Sequence, residues 1–270
     1  MSASPAKTED DWSRIESPEA VAEAIRKLER FARSPAEQAA RRRYLDLLDL
    51  HPGMKVIDVG AGTGLISLDI ATRVALDPSA PLLDAARKAA IEAGCGSVVE
   101  GHVGDARAIP FPEGSFDRAL CHWVLLHVAE QERVLAEIRR VVQPGGKIMC
   151  VEMDWETQIV FPGSRDLTRR ILNFNTDRHI DGWMGRRLFA LFRDMHLANI
   201  TVDAITNTDD GSRGPEWLEF LRSRADNARA GNVISERERG EWIDTIEAAA
   251  GEGRYFFAVT QFVITGVVPA

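Results

Sequence analysis

The chain has 270 residues and a formal charge of −8, with 45% hydrophobic and 27% charged residues. That is enough apolar material for one large domain or a domain with a cap, while the acidic balance argues against a nucleic-acid partner, which calls for a basic face. No apolar leader and no run of 18 apolar residues occurs, so a cytoplasmic protein with no membrane partner is expected. The densest basic run, Arg41 to Arg43, lies in an Ala- and Leu-rich helical pattern and reads as a solvated helix face. Cys95, Cys121 and Cys150 form no C-x-x-C pair, which suits a reducing compartment and suggests neither a zinc site nor a disulfide framework.

Residues 1–16 are polar and read as frayed. A first helix starts at Ser17-Pro18, with Val21, Ile25 and Leu28 at helical spacing, and a second runs from Ser34-Pro35 to Leu50 before "HPG" ends it. Strands and helices then alternate: "KVIDVG" as strand, "LISLDIAT" as helix, "RVALD" as strand, and a helix capped by Ser79 and closed by Gly94. "SVVEGHV" and "FDRALCHWVL" follow as strands, and "AEQERVLAEIRRVV" as a helix with Val134, Leu135, Ile138, Val141 and Val142 on one face. "QPGG" breaks that helix and "KIMCVEM" is the fifth strand. Beyond Asp154 come two helical stretches, the strand "ITVDAIT", a helix opened by Pro215, and one with a Ser235/Glu238 capping box. "RYFFAVTQFVITGVV" closes the chain as one long strand. Alternation of this kind implies an α/β, doubly wound parallel sheet with helices on both faces.

The first strand runs into Gly60-Ala61-Gly62-Thr63-Gly64 and a helix, an arrangement that brings backbone N–H groups close to a ligand. The dinucleotide fingerprint needs glycine where Leu65 stands, so a nicotinamide cofactor is disfavoured. "VIDVGAGTG" resembles the first motif of class I S-adenosylmethionine-dependent methyltransferases. The resemblance continues in order through "ALDPS", "VGDARAIPFPEGSFD", "LLHV" and "RRVVQPGGKIMCVEMDW". It is closest to the small-molecule branch, similar to quinone-biosynthesis and natural-product methyltransferases.

The resemblance implies a Rossmann-like sheet of seven strands, mostly parallel with an antiparallel last strand, plus a helical cap from N-terminal helices and insertions. The expected layout is a cap segment at 1–50, the cofactor-binding core at 51–155, a helical substrate-covering segment at 156–199, and the last two strands with a helical insertion at 200–270. S-adenosylmethionine is the implied cofactor, with S-adenosylhomocysteine as product and no metal. Gly60, Gly62 and Gly64 would carry the loop under the cofactor, and Asp58 would orient that loop. Asp77 would accept both ribose hydroxyls and Pro78 would lie against the adenine. Asp105 and the Ala106 N–H would meet the adenine edge, and Cys121 and His122 would offer backbone carbonyls to the ammonium group.

A base is needed when the acceptor is a hydroxyl or an acidic carbon. His127, just after the fourth strand, is the first candidate, with Glu152 at the end of the fifth orienting its ring. Asp154 and His122 are further candidates, and the bland reading is that His127 only starts a helix. Trp155, Phe161, Phe174, Trp183 and Met184 supply apolar surface expected either to cover an apolar or aromatic small molecule or to pack the cap. The chain is expected to act as a monomer or homodimer. The other reading is a cofactor-binding protein of this fold that catalyses a cyclisation or serves as an interaction module. Only twelve residues separate Gly64 from Asp77, so a shortened helix and a second strand of about three residues are expected, unless a loop is missing after Thr72 or Arg73.

Overall fold

Strand β1 (Val56–Val59) is buried throughout and lies between β2 (Val74–Asp77) and β4 (Phe116–His122), parallel to both. The computed structural model describes residues 17–32, 35–69, 74–94, 100–212 and 216–270. With β3 (Glu100–Val103), β5 (Val142–Phe161), β6 (Ala198–Asp209) and β7 (Phe256–Val267), the sheet order is β3-β2-β1-β4-β5-β7-β6. β7 runs antiparallel to both neighbours, as the resemblance implies. The order reverses between β1 and β4, and in open α/β sheets the crevice at such a point, beyond the carboxyl ends of the strands, is where ligands bind.

Side chains alternate across the sheet with a period of two. Ile57, Val59, Ala119, Cys121, Ile148 and Cys150 share one core with helices α5 (Gln131–Val141) and α7 (Met184–Asp194). On the opposite face Val56, Leu120, Met149, Val151 and Val263 meet Tyr44 and Leu48 of helix α2 (Pro35–Leu48). A third core surrounds Trp242, where α6 (Arg165–Thr176), α8 (Glu216–Ala230) and α9 (Glu236–Gly251) close over the outer ends of β5 and β7. The remaining helices are α1 (Pro18–Ala32), α3 (Leu65–Asp69) and α4 (Ala80–Glu92).

The capping signals act as expected. Ser79 accepts from the Leu82 N–H, and Ser235 with Glu238 forms the full capping box. The first crossover helix is short, at five described residues, and β2 has four residues where about three are expected. Residues 70–73 lie outside the described residues, and with them the question of a loop after Thr72 or Arg73; so do residues 1–16, Ser34, Cys95, the start of the third strand and Pro215.

Two boundaries differ from the expected ones. β4 ends at His122, because Trp123 takes φ +56° and Leu125–His127 forms a 3-10 turn. β5 starts at Val142 and continues far beyond Met153, with "QPGG" inside it, because β7 pairs with it as far out as Phe161 opposite Phe256. Residues 156–161 are therefore strand, and α7 packs on β5 and β7 as a layer of the sheet, so 156–199 departs from the helical cover expected of it.

Candidate active site

A cavity of about 440 Å³ opens at the carboxyl ends of β1, β2 and β4. Asp58, Gly60, Ala61, Gly62, Asp77, Pro78, Asp105, Ala106, His122 and His127 all line it. The glycines of the loop do different jobs. A Cβ on Gly60 would sit 2.2 Å from Val124 Cγ2, and one on Gly64 would sit 2.6 Å from the Ala86 Cβ, so these two let the loop pack on the turn after β4 and on α4. Gly62, at φ +54°, would place a Cβ 3.5 Å from Leu28 and close to nothing else among the described residues, and it lines the cavity. Gly64 does not.

Asp77 ties the loop to the second strand. Its carboxylate accepts the Gly62 N–H at 2.9 Å and the Ser79 N–H at 2.8 Å, and burial holds its pKa above the usual carboxylate range. Asp58 accepts the Ser67 hydroxyl at 2.5 Å, and burial pushes its pKa up to about 6. Asp105 is more exposed. The Arg107 guanidinium, 2.9 Å away, holds its carboxyl below the ordinary range.

The turn after β4 is propped from beneath. Glu152 Oε1 accepts the backbone N–H groups of Val124 and Leu125 at 2.9 and 2.6 Å. The side chain is fully buried, and desolvation pushes its pKa up to about 8. Its Oε1 is thus committed to the backbone that carries His127. Asp154 is also committed elsewhere: it takes two hydrogen bonds from Arg186 and clasps α7 to β5.

The opposite wall comes from α1 and α2, through Leu28, Ala32, Glu37 and Arg41. Glu37 is 1% exposed and accepts the Tyr44 hydroxyl at 3.1 Å and the Gln261 amide at 3.0 Å. His122 Nε2 lies 3.3 Å from Glu37 Oε1, and its ring stacks on Trp123 with centroids 4.4 Å apart. Arg41 is buried, contrary to the reading of the basic run as a solvated face. Helical rotation of about 100° per residue turns Arg41 inward and leaves Arg42 and Arg43 outside.

The family profile described as Methyltransferase domain matches residues 57–150, the segment that builds the loop, the second-strand acid and the turn after β4. Residues 57–150 are thus similar to the methyltransferase domain of that profile, and they form the part of the sheet in which β1 lies between β2 and β4. The chain is also similar to an uncharacterized 37.1 kDa protein of transposon Tn4556 from Streptomyces fradiae, 28% identical over 91% of this chain and 71% of that one. A demethylmenaquinone methyltransferase from Renibacterium salmoninarum is 36% identical over 43% of this chain and 48% of its own length. The chain thus spans about half the length of the demethylmenaquinone methyltransferases it matches. The cyclase SpnF is similar in fold, with a TM-score of 0.55 and 22% identity over 87% of this chain and 83% of that one.

The lining of the cavity suits a cationic ligand. Carboxylates of Asp58 and Asp77 face it at the loop, and Pro78, Leu82 and Val103 give an apolar wall beside them. Cys121, expected to offer a carbonyl, is fully buried in the sheet and does not line the cavity, because β4 carries its odd-numbered residues toward α5 and α7. The residues expected either to cover the substrate or to pack the cap do not line the cavity. Trp155 stacks on His179 and Phe220 under the α6–α8 layer, Phe174 packs beside it, Met184 is core, and Phe161 and Trp183 point outward. Sequence reasoning missed Glu37, Arg41, Tyr44 and Gln261. Glu37 reads as an ordinary acid in a first helical turn, and the one available signal was Gln261, a polar residue in an apolar strand.

Proposed function

We propose that this chain moves a methyl group from S-adenosylmethionine to O, N or C of a small, mainly apolar molecule. The observation that carries this is one cavity joining the glycine loop and Asp77 to a mixed apolar and ionisable wall from α1, α2 and the turn after β4. Gly60, Gly62, Asp58, Asp77, Pro78, Asp105 and Ala106 would hold the cofactor, which supplies an already activated methyl group on a sulfonium. What remains for the protein is positioning, exclusion of water and removal of a proton where the acceptor carries one. Leu28, Ala32, Val124 and Val128 give the acceptor an apolar enclosure, and His122 and His127 are the imidazoles at its edge. Among the described residues no helix is long and apolar enough to cross a membrane, and a small-molecule partner is the reading favoured by the enclosed site.

Calorimetric titration with S-adenosylhomocysteine tests the reading. The wild-type chain is expected to bind it, and Asp77→Ala to weaken binding about 100-fold or more, as befits loss of a charged acceptor of two hydrogen bonds. Equal affinity in the variant would remove the ribose assignment, and no binding by the wild type would remove the function.

A further inference from the structure

Guanidinium groups set between the elements of this chain commonly end on a carboxylate: Arg186 on Asp154, Arg187 on Asp181, Arg239 on Asp226. Arg224 of α8 does not. It is half-buried as a residue, and its Nε is shut from solvent with no hydrogen-bond partner. Its Nη1 meets an amide oxygen, Asn175 Oδ1, at the long distance of 3.5 Å, and that oxygen already accepts the Asn227 amide at 3.0 Å. The Arg224 Cζ lies 4.9 Å from the centroid of the Trp155 ring and 4.3 Å from that of Phe220. Aromatic faces attract a cation without neutralising it. The charged group that acts on Arg224 is a second cation, Arg178, just beyond α6. Burial and that repulsion pull the Arg224 pKa down to about 9, so the group is still charged at neutral pH. Arg178 is exposed, and among the described residues neither arginine is paired with a carboxylate.

A second donor is stranded on the same stack. The Trp155 indole Nε1 is buried and has no hydrogen-bond partner. Indole and guanidinium nitrogens only donate, so the group that satisfies both is an acceptor, and two uncompensated positive charges make it an anion. The stack runs on from Trp155 to the His179 ring, with centroids 5.5 Å apart, and then to His127, at 5.9 Å, which lines the cavity. Arg224 and Trp155 stand behind that wall and do not line the cavity.

We propose that Arg224, Trp155 and Arg178 form a binding site for an oxyanion, a carboxylate or phosphate group, in the seam between α6, α8 and β5. The Arg224 guanidinium and the Trp155 indole N–H donate to it from the buried side, and Arg178 neutralises it from the solvent side. Its occupant is a free anion or the charged end of a larger molecule, recognised by the same chemistry. The site is independent of how the cavity is used.

Calorimetric titration of the full chain at fixed ionic strength, with inorganic phosphate, phenyl phosphate and benzoate, tests the site. Saturable binding of at least one is expected in the wild type, and Arg224→Met is expected to weaken it at least about tenfold, as befits loss of a charge-assisted hydrogen bond. Methionine keeps a flexible, polarisable side chain against Trp155 and Phe220, so in buffer free of these anions the variant should melt no lower than wild type. Arg178→Gln, a surface change, should leave the melt in place and weaken binding about threefold or more. Tighter binding of phenyl phosphate or benzoate than of phosphate assigns the site to the charged end of a larger molecule; otherwise the occupant is a free anion. Binding of none of the three below about 10 mM overturns the proposal. So does binding that Arg224→Met leaves unchanged, or a variant that melts several degrees lower, which would make Arg224 a packing element.

Discussion

The two walls of the cavity are made in opposite ways. The cofactor wall comes from a few short, local turns: residues 58–64, the end of β2, and the loop after β3, each held by backbone geometry. The wall proposed for the acceptor joins side chains from α1, α2 and β4, and a hydrogen bond behind it, from Gln261 of β7 to Glu37, links residues 224 positions apart. Backbone-made sites leave a signature of glycines and acids at fixed offsets. A site made of side chains from distant elements leaves only scattered polar residues in apolar patterns. A wall of the first kind should break sharply when one Cβ is added, and one of the second kind should respond gradually.

The largest expected effect is at the loop. Gly60→Ala and Gly64→Ala each put a methyl group well inside contact distance of Val124 or Ala86 at positive φ. Overpacking costs about 1–3 kcal/mol and the left-handed conformation about 1–2 kcal/mol more for a residue with a Cβ. Thermal melts should show both variants several degrees below wild type. Gly62→Ala carries only the backbone cost and should lose cofactor affinity more than stability. A Gly62→Ala chain that melts as low as Gly64→Ala would show that the loop is one packed unit, without a division into frame and ligand face.

How much was readable follows the same division. The Ser79 and Ser235 caps, the glycine loop and the place of Asp77 at the end of a strand were legible because each is fixed by residues within a few positions of one another, whereas the antiparallel last strand came from the resemblance. The length of β5 was not, since it depends on β7, about a hundred residues away, extending alongside it. Glu152 was found by its position, yet its partners are the Val124 and Leu125 amides, which no side-chain pattern announces. Trp155 and Phe174 could be read as substrate cover or as packing, and they pack against the core of the α6, α8 and α9 layer while Phe161 and Trp183 are exposed, because apolar helix faces look alike whether they meet a ligand or one another.

Glu152 gives an intermediate effect that probes the support between the two walls. Burial raises its folded pKa to about 8 from the usual glutamate value of 4.5, so folding favours the protonated form. Its stabilising contribution is complete below about pH 4.5 and is lost as pH rises toward about 8. Glu152→Gln, which keeps the acceptor for the two amides, removes that dependence. Denaturant midpoints should place wild type above the variant at the acid end and bring the two together, or reverse them, at the alkaline end. A constant difference across that range would mean that Glu152 is ionised in the folded chain.

The smallest effect tests whether α2, which carries Glu37, is held by its core or by its surface. Arg43 donates to Asp203 of β6 through Nε and Nη2 at 3.0 and 2.7 Å, the most visible tie between α2 and the sheet edge. Arg43 is 56% exposed at its side chain, and a pair in such solvent contributes about 0–1 kcal/mol. Tyr44 and Leu48, both buried against Leu120, Met149 and Val263, form the alternative anchor. A double-mutant cycle with Arg43→Ala and Asp203→Ala should give a coupling below about 1 kcal/mol, diminished by salt, with S-adenosylhomocysteine affinity unchanged. A larger coupling, or loss of affinity on cutting the tie, would place the acceptor wall under the control of a surface contact and make it as sensitive to single changes as the glycine loop.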